Sequence, residues 1–545
     1  IFCTAPTSGV LPGVGALPVP ADLLKPRIFL GKSVELCYNG CILIWGKKSM
    51  FKRSSGVLAH VTSLPSPHGV GTMGKTAYDF FDFLADAHQT YWQVLPLGHT
   101  GFGDSPYQCF STAAGNPYLI DLDLLVEDGL LTEAEVKAGD FQSSPDEADF
   151  EQLADTRWPL FRKAYSRVDD EMRAEIAAFT EENAEWLPDY ALFMALKEEK
   201  YHHMPVYMWP EKAVRDRKPA ALEKVTTELR DEIDFRIFLQ YIFFQQWKAL
   251  RTYANEKGIQ IIGDIPIYVS ADSVDVWTHP KLFKLKADRS PKLVAGVPPD
   301  YYSATGQLWG NPVYDWEAHR AEGYAWWIWR MKSNMALFDV VRLDHFRGFA
   351  AYWEVKAAEE TAVNGHWRKG PGMELFRAIE DALGPVKLIA EDLGVQTDEV
   401  RELLAESGFP GMKVLIFGFT PDEDNEHLPH NYVPNSIVYT STHDSQTVCE
   451  QIMDICTEPE KQFAYRYLRT SHSEAMGWSA IKSVWASPAR ITMTTLQDLL
   501  SLGADARMNT PATIGGKNWR WRVRKEALNP TVSAMLGEIT KTYMR

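Results

Sequence analysis

The sequence lacks a run of about 18 apolar residues, which excludes a bilayer-spanning helix. The richest apolar stretch, residues 235–247, contains Arg236 and three glutamines and reads as a buried amphipathic helix. No basic tract occurs and the formal net charge is −16, so neither nucleic acid nor a membrane is an expected partner. Cysteine is scarce. The six cysteines, at positions 3, 37, 41, 109, 449 and 456, fit no disulfide or zinc spacing. Cys37 and Cys41 have no second pair nearby, so no metal and no cofactor are expected. Unpaired cysteines imply reduced thiols and a cytoplasmic location. No phosphate-binding glycine fingerprint follows any apolar segment, and no basic stretch precedes an apolar core near the start.

What is present is an ordinary globular balance, 45% hydrophobic and 23% charged, with an excess of rings: 12% of residues are Phe, Trp or Tyr. Most must lie in a core, but flat rings also suit the apolar faces of sugars. Residues 1–49, rich in Pro and Gly and without a sustained period, are expected to be an extension outside the fold, disordered or not native. From residue 50 a unit recurs. "AYDFFDFLADAHQT" has helical spacing and precedes the apolar "YWQVLPLG"; "RIFLQYIFFQQWKALRTYANEKG" precedes "IQIIGDIPIYVS". The same order returns before "FDVVRLDHF", "VKLIAEDLG" and "MKVLIFGF", and "SIVYTSTHD" is a further strand. Gly258, Gly384 and Gly408 stand where helices should end. Repeated helix-then-strand units predict an α/β fold, a (β/α)8 barrel with helical and loop insertions. The catalytic barrel should span 50–545, with a mainly helical insertion at about 126–232, where Glu, Lys and Ala dominate.

The chemistry should sit where strands end. "VVRLDHFRG" closes an apolar strand with Asp344 between Arg342 and Arg347. Residues i and i+2 of a strand share a face, so Arg342 should lie beside Asp344, lower its pKa and keep it ionised. "LIAEDLG" sets Glu391 among apolar neighbours, which raises a carboxyl pKa. "TSTHDSQT" supplies Asp444 after His443. Taken singly, each is equally a strand-end ion pair or a solvated strand end. Together, three acids in contrasting surroundings are what retaining glycoside chemistry requires: a nucleophile, and an acid that later serves as base. Trp92, Tyr107, Tyr301, Tyr302, Trp309 and Trp353 are candidate sugar-stacking rings.

From about residue 53 to 545 the chain resembles the amylomaltases, or 4-α-glucanotransferases, of glycoside hydrolase family 77. The resemblance rests on "GVLAHVTSLPSPHGVGTMG", "YWQVLPLGHTGFGDSPYQCFSTAAGNPYLIDL", "GDIPIYVSADSVDVW", "GVPPDYYSATGQLWGNPVYDW", "VVRLDHFRGF", "LIAEDLG" and "ARMNTPATIGGKNWRWR". It implies a (β/α)8 barrel that moves part of an α-1,4-glucan or malto-oligosaccharide onto another glucan or glucose. It further implies Asp344 as nucleophile, Glu391 as acid/base and Asp444 as the carboxylate gripping hydroxyls of the distorted sugar. Tyr107, Arg342 and His443 would line the donor site. Asp300, Tyr301 and Tyr302 would belong to a loop closing over the glucan, followed by Gln307, Trp309 and Asn311. Two departures stand out: Ser445 and Gln446 follow "THD" where the family usually has Asn, and Phe102 replaces a common Tyr. An α-amylase-like hydrolase and a non-catalytic glucan binder are the rival readings. Removal of residues 1–49 should leave activity and melting temperature nearly unchanged; a large loss of soluble protein on truncation would overturn that expectation.

Overall fold

A strand that is apolar on both faces needs cover on both, and a helix after each strand supplies it. In the computed structural model, which describes residues 50–101, 103–141, 144–299, 303–470 and 475–545, this alternation closes into a barrel. In chain order the strands are β1 (Ser54–Leu58), β2 (Tyr91–Gln93), β3 (Gln260–Ile265), β4 (Leu293–Val297), β5 (Gln307–Pro312), β6 (Val340–Leu343), β7 (Ala351–Lys356), β8 (Gly365–Lys369), β9 (Leu388–Ala390), β10 (Gly411–Val414), β11 (Ser436–Tyr439) and β12 (Ile491–Thr495). Eight of them, in the spatial order β1-β12-β11-β10-β9-β6-β3-β2, form a closed parallel barrel. The (β/α)8 expectation is met. Gly384 and Gly408 end their helices with φ of 76° and 71°, where a side chain would be strained.

Between β2 and β3 the chain runs through a series of helices, among them Phe150–Tyr165, Asp170–Glu182 and Leu187–Ala195. They lead to the long helix Arg230–Glu256, which contains the stretch read as amphipathic. Part of this region has a core of its own, around Phe193, Trp209 and Ile237, which Trp277 from beyond β3 joins. A second, four-stranded sheet, β5-β4-β7-β8, was not foreseen. Its strands are short and antiparallel, and "GVPPDYYSATGQLWGNP" carries too much Gly and Pro to read as anything but a loop. The excursions leave the C-terminal ends of β3 and β6, so this sheet stands beside the barrel mouth.

Trp92 needs correction as a sugar-stacking ring. It is fully buried, edge-on to Phe80 and Phe81, with Nε1 donating to the Ala59 carbonyl. On a strand covered from both sides, an indole goes to the core. Residues 1–49, Phe102, Asp300, Tyr301 and Tyr302 lie outside the described residues. Among those described, Cys109, Cys449 and Cys456 are free thiols, no three His, Cys, Asp or Glu cluster as metal ligands, and no helix is long and apolar enough to cross a membrane.

Register fixes the site. β3 and β6 pair so that Asp264 lies directly opposite Arg342. Gly263, one residue earlier, has no side chain because Phe338 occupies the space: a Cβ would approach its Cδ2 to 2.1 Å. Gly263→Ala should therefore cost about 1–3 kcal/mol of stability, as overpacking does. In thermal melts, combining it with Phe338→Leu should lose less than the two single losses added, because the smaller side chain makes room. Strict additivity would show that the crowding is elsewhere.

Candidate active site

Arg342 is the last but one residue of β6 and is 4% exposed. Its Nη1 donates to both oxygens of Asp264, at 2.7 and 2.6 Å, and lies 3.0 Å from Oδ1 of Asp344. Its Nε points at the Met412 sulfur, 3.3 Å away. Burial opposes the guanidinium's charge, but Asp264 and Asp344 outweigh it and hold the cation firmly. The shared strand face of Arg342 and Asp344 is as expected. The second arginine is not a partner: Arg347 turns away, with Nη1 donating to the Val395 carbonyl at 2.7 Å.

Asp344 and Glu391 each follow the end of a barrel strand, and those strands, β6 and β9, are neighbours. The Glu391 carboxyl is 9% exposed and is aimed by backbone alone: Oε2 accepts from the His345 N–H at 2.7 Å, Oε1 from the Leu393 N–H at 2.8 Å. Burial raises its pKa to about 8, the nearby Asp344 charge adds to the rise, and Arg342 only partly offsets both. That the apolar setting favours the protonated acid is thus seen in the structure. Asp344 behaves differently from expectation. Arg342 does pull its pKa down, but burial outweighs the arginine, and Asp264 and Asp444 push the same way, so the value rises to about 6. The sequence shows the arginine beside the acid; it hides the depth of the barrel mouth and the second carboxylate that occupies the same guanidinium.

Asp444 follows β11. Burial would raise its pKa too, but His443 and a hydrogen bond from Asn509 prevail and bring it to about 2. His443 Nε2 lies 3.2 Å from Asp444 Oδ2, and Asn509 Nδ2 donates to Oδ1 at 2.6 Å. Burial disfavours the His443 imidazolium, yet Asp444 outweighs burial and the histidine pKa rises. Tyr107 ties the halves together: its hydroxyl lies 2.7 Å from His443 Nε2 and 3.0 Å from Asp264 Oδ2, and its ring stacks on the imidazole. One connected network thus runs from Asp344 through Arg342, Asp264, Tyr107 and His443 to Asp444.

The remaining candidates divide. Trp309 stands edge-on to His345, with ring centroids 4.8 Å apart, and its Nε1 donates to the Gln307 side chain. Both therefore border the site. Asn311 is buried; it bonds Gln108, next to Tyr107, and the Val269 carbonyl, so it braces the Tyr107 loop. Trp353 packs in the small sheet, with Nε1 donating to the Ala362 carbonyl. Ser445 is buried and bonds its own loop at Thr442, not the cleft. Asp264 and Asn509 carry the network but had no assigned role. Asp264 stood at a strand end in "IIGDIPIY", and that position was the available signal; Asn509 sits in a loop without a period.

A family profile described as 4-alpha-glucanotransferase matches residues 59–528. The chain is 45% identical over 499 residues to the 4-alpha-glucanotransferase of Streptococcus pneumoniae, covering 91% of this chain and 98% of that one. It is 46% identical to that of Thermus thermophilus, covering 90% and 99%. Its fold matches the amylomaltase of Streptococcus agalactiae in complex with acarbose, with a TM-score of 0.88 and 43% identity over 91% of this chain and 100% of that one.

If Asp344 must be ionised and Glu391 protonated, kcat/KM should be bell-shaped in pH, with limbs near 6 and 8. Arg342→Lys keeps a cation but not the rigid planar guanidinium that sets Nη1 between Asp264 and Asp344, so kcat should fall by roughly 10²-fold with the acid limb nearly in place. Arg342→Met removes the charge that pulls the Asp344 pKa down and should move that limb to higher pH. Rates on maltotriose across pH check this; an unmoved limb in the Met variant would make Arg342 purely structural.

Proposed function

The chain belongs to the 4-alpha-glucanotransferase family, and from that premise we propose that it moves a segment of an α-1,4-glucan to the 4-hydroxyl of another glucan or of glucose by a retaining double displacement. The observation that carries this reading is the contrast between two adjoining acids: Asp344 is anchored to a guanidinium, while Glu391 is held as the neutral acid by burial.

In the first half-reaction Asp344 attacks the anomeric carbon. The bond to the leaving 4-oxygen breaks as Glu391 gives that oxygen its proton. Arg342 holds Asp344 Oδ1, which leaves Oδ2 to form the glycosyl ester. In the second half the incoming 4-hydroxyl gives its proton to the Glu391 carboxylate and attacks the same carbon, and the ester bond to Asp344 breaks. Two inversions give net retention. Asp444, ionised and oriented by His443 and Asn509, accepts hydrogen bonds from sugar hydroxyls as the ring distorts, while Tyr107 and His443 line the donor side. Trp309 and Gln307 flank the mouth at His345 and serve the bound sugar. Transfer outpaces hydrolysis when a second sugar is held in place better than water. Free thiols and the absence of a disulfide spacing support a cytoplasmic location.

Incubation with maltotriose tests the activity. Glucose with longer oligomers means transfer, shorter sugars alone mean hydrolysis, and no change means binding only. Glu391→Gln should abolish transfer from ordinary glucans yet still react with α-glucosyl fluoride, whose leaving group needs no proton. A glycosyl ester should then accumulate on Asp344, because its removal lacks a base. Mass spectrometry that finds no adduct on Asp344 would refute one of the two assignments.

A further inference from the structure

Trp367 is the one Phe, Tyr or Trp among the described residues that is left exposed, at 41%. The chain buries or half-buries every other described ring, so this one calls for a reason. It lies on β8, the outer edge of the four-stranded sheet. An exposed indole on an edge strand is a liability that sequences avoid unless it is used.

The surroundings hold the ring rigidly. Trp367 pairs directly with Trp353 across β7 and β8, and the two indoles meet edge to face, 5.3 Å apart. Trp353 itself lies across Gly365, where a Cβ would come within 2.2 Å of its Nε1. The Arg347 guanidinium sits 4.2 Å from the Trp367 ring centre and covers one face. Arg347 makes no ion pair among the described residues, and its Nε is buried without a partner. Arg347 and Trp353 cover part of the ring, and the rest is open to solvent. Val395, 66% exposed, borders the patch through Arg347. Arg368 adds little charge to it, because it turns to the other side of the sheet and pairs with Glu354.

We propose that Trp367 is a docking platform for an α-1,4-glucan chain outside the catalytic cleft. The proposal rests on the glucan reading above. A flat, pre-ordered ring that is 41% exposed fits the apolar face of a glucose unit. A protein partner would need several hundred Å² on each side, and one indole with a valine does not provide it. The platform is also continuous with the site. Arg347 follows Asp344 by three residues and is bonded to Val395, which follows Glu391 by four. A polymer leaving the cleft past the Glu391 loop would therefore meet Trp367.

The test is Trp367→Ala in the full chain, with Trp367→Phe beside it. Retardation in gels containing amylose, with the cleft filled by excess acarbose, should weaken by about five- to tenfold in the Ala variant, the scale of one lost aromatic contact. The Phe variant should keep most of it. KM for amylose should rise several-fold while kcat and KM on maltotriose and the melting temperature stay unchanged. Unchanged retardation and unchanged KM for amylose would overturn the platform. So would a parallel loss on maltotriose, which would put Trp367 inside the cleft. A change in sedimentation with normal amylose binding would make the face a self-contact instead. Failure of the unaltered chain to act on maltotriose would fault the functional reading, not the platform.

Discussion

The pairing of Arg342 with Asp264 inside the barrel is the constraint on which the site depends. Register sets the two residues opposite each other on adjacent strands, and both are almost wholly buried. A pair in such a place is hard to justify by stability alone. Desolvating both ions costs about as much as their attraction returns, while removing one partner costs about 3–5 kcal/mol. What the pair secures is geometry. Nη1 serves three carboxylate oxygens, and Asp264 also accepts from Tyr107, so neither acid nor arginine can turn without breaking the other's bonds. The barrel thus orients Asp344 through Arg342, which Asp264 holds in place.

Sharing one guanidinium has an electrostatic consequence. With Asp264 drawing on the same cation, Arg342 compensates Asp344 only in part, and burial carries that carboxyl to about 6. Glu391, which has only backbone donors, goes higher, to about 8; Asp444, which has His443 and Asn509, falls to about 2. Three carboxyls at strand ends on one side of the barrel separate because their partners differ: backbone N–H groups for Glu391, a guanidinium shared with Asp264 for Asp344, and an imidazole with an amide for Asp444.

That also decides what could be read from the sequence. The barrel was legible because helix-then-strand units recur and strands such as β6 and β9 are largely apolar, a signal that survives insertions; β1 and β12, with Ser and Thr among their residues, carry it weakly. The three acids were legible because each ends such a strand: "VVRLD", "LIAE" and "VYTSTHD" announce both the strand and its polar stop. The direction of the Asp344 shift was not, since "RLDHFRG" shows two arginines near the acid but not that one turns to Val395 and the other is shared with Asp264. Trp92 was misplaced for a similar reason: residue type reveals affinity for a sugar face, but not which side of a barrel wall the ring takes. The β5-β4-β7-β8 sheet escaped because short antiparallel strands rich in Gly and Pro carry no period long enough to detect.

A charge count at the mouth joins these observations to the chemistry. With Glu391 protonated, Asp344 and Asp444 are the acids left to carry charge, and the cations bonded to this network are Arg342 and His443, whose protonation Asp444 favours. Asp264 takes up most of the arginine and Asp444 takes up the imidazolium. The uncompensated negative charge therefore resides on Asp344, at the position assigned to attack. Positive charge develops on the anomeric carbon and ring oxygen as the glycosidic bond breaks, so a fixed anion there stabilises the transition state more than the neutral ground state. Moving the excess charge to Glu391 would lose both effects: the leaving oxygen would lack its proton, and the anion would sit on the leaving-group side. The barrel avoids this by giving Glu391 only backbone donors and committing Arg342 to Asp264 and Asp344.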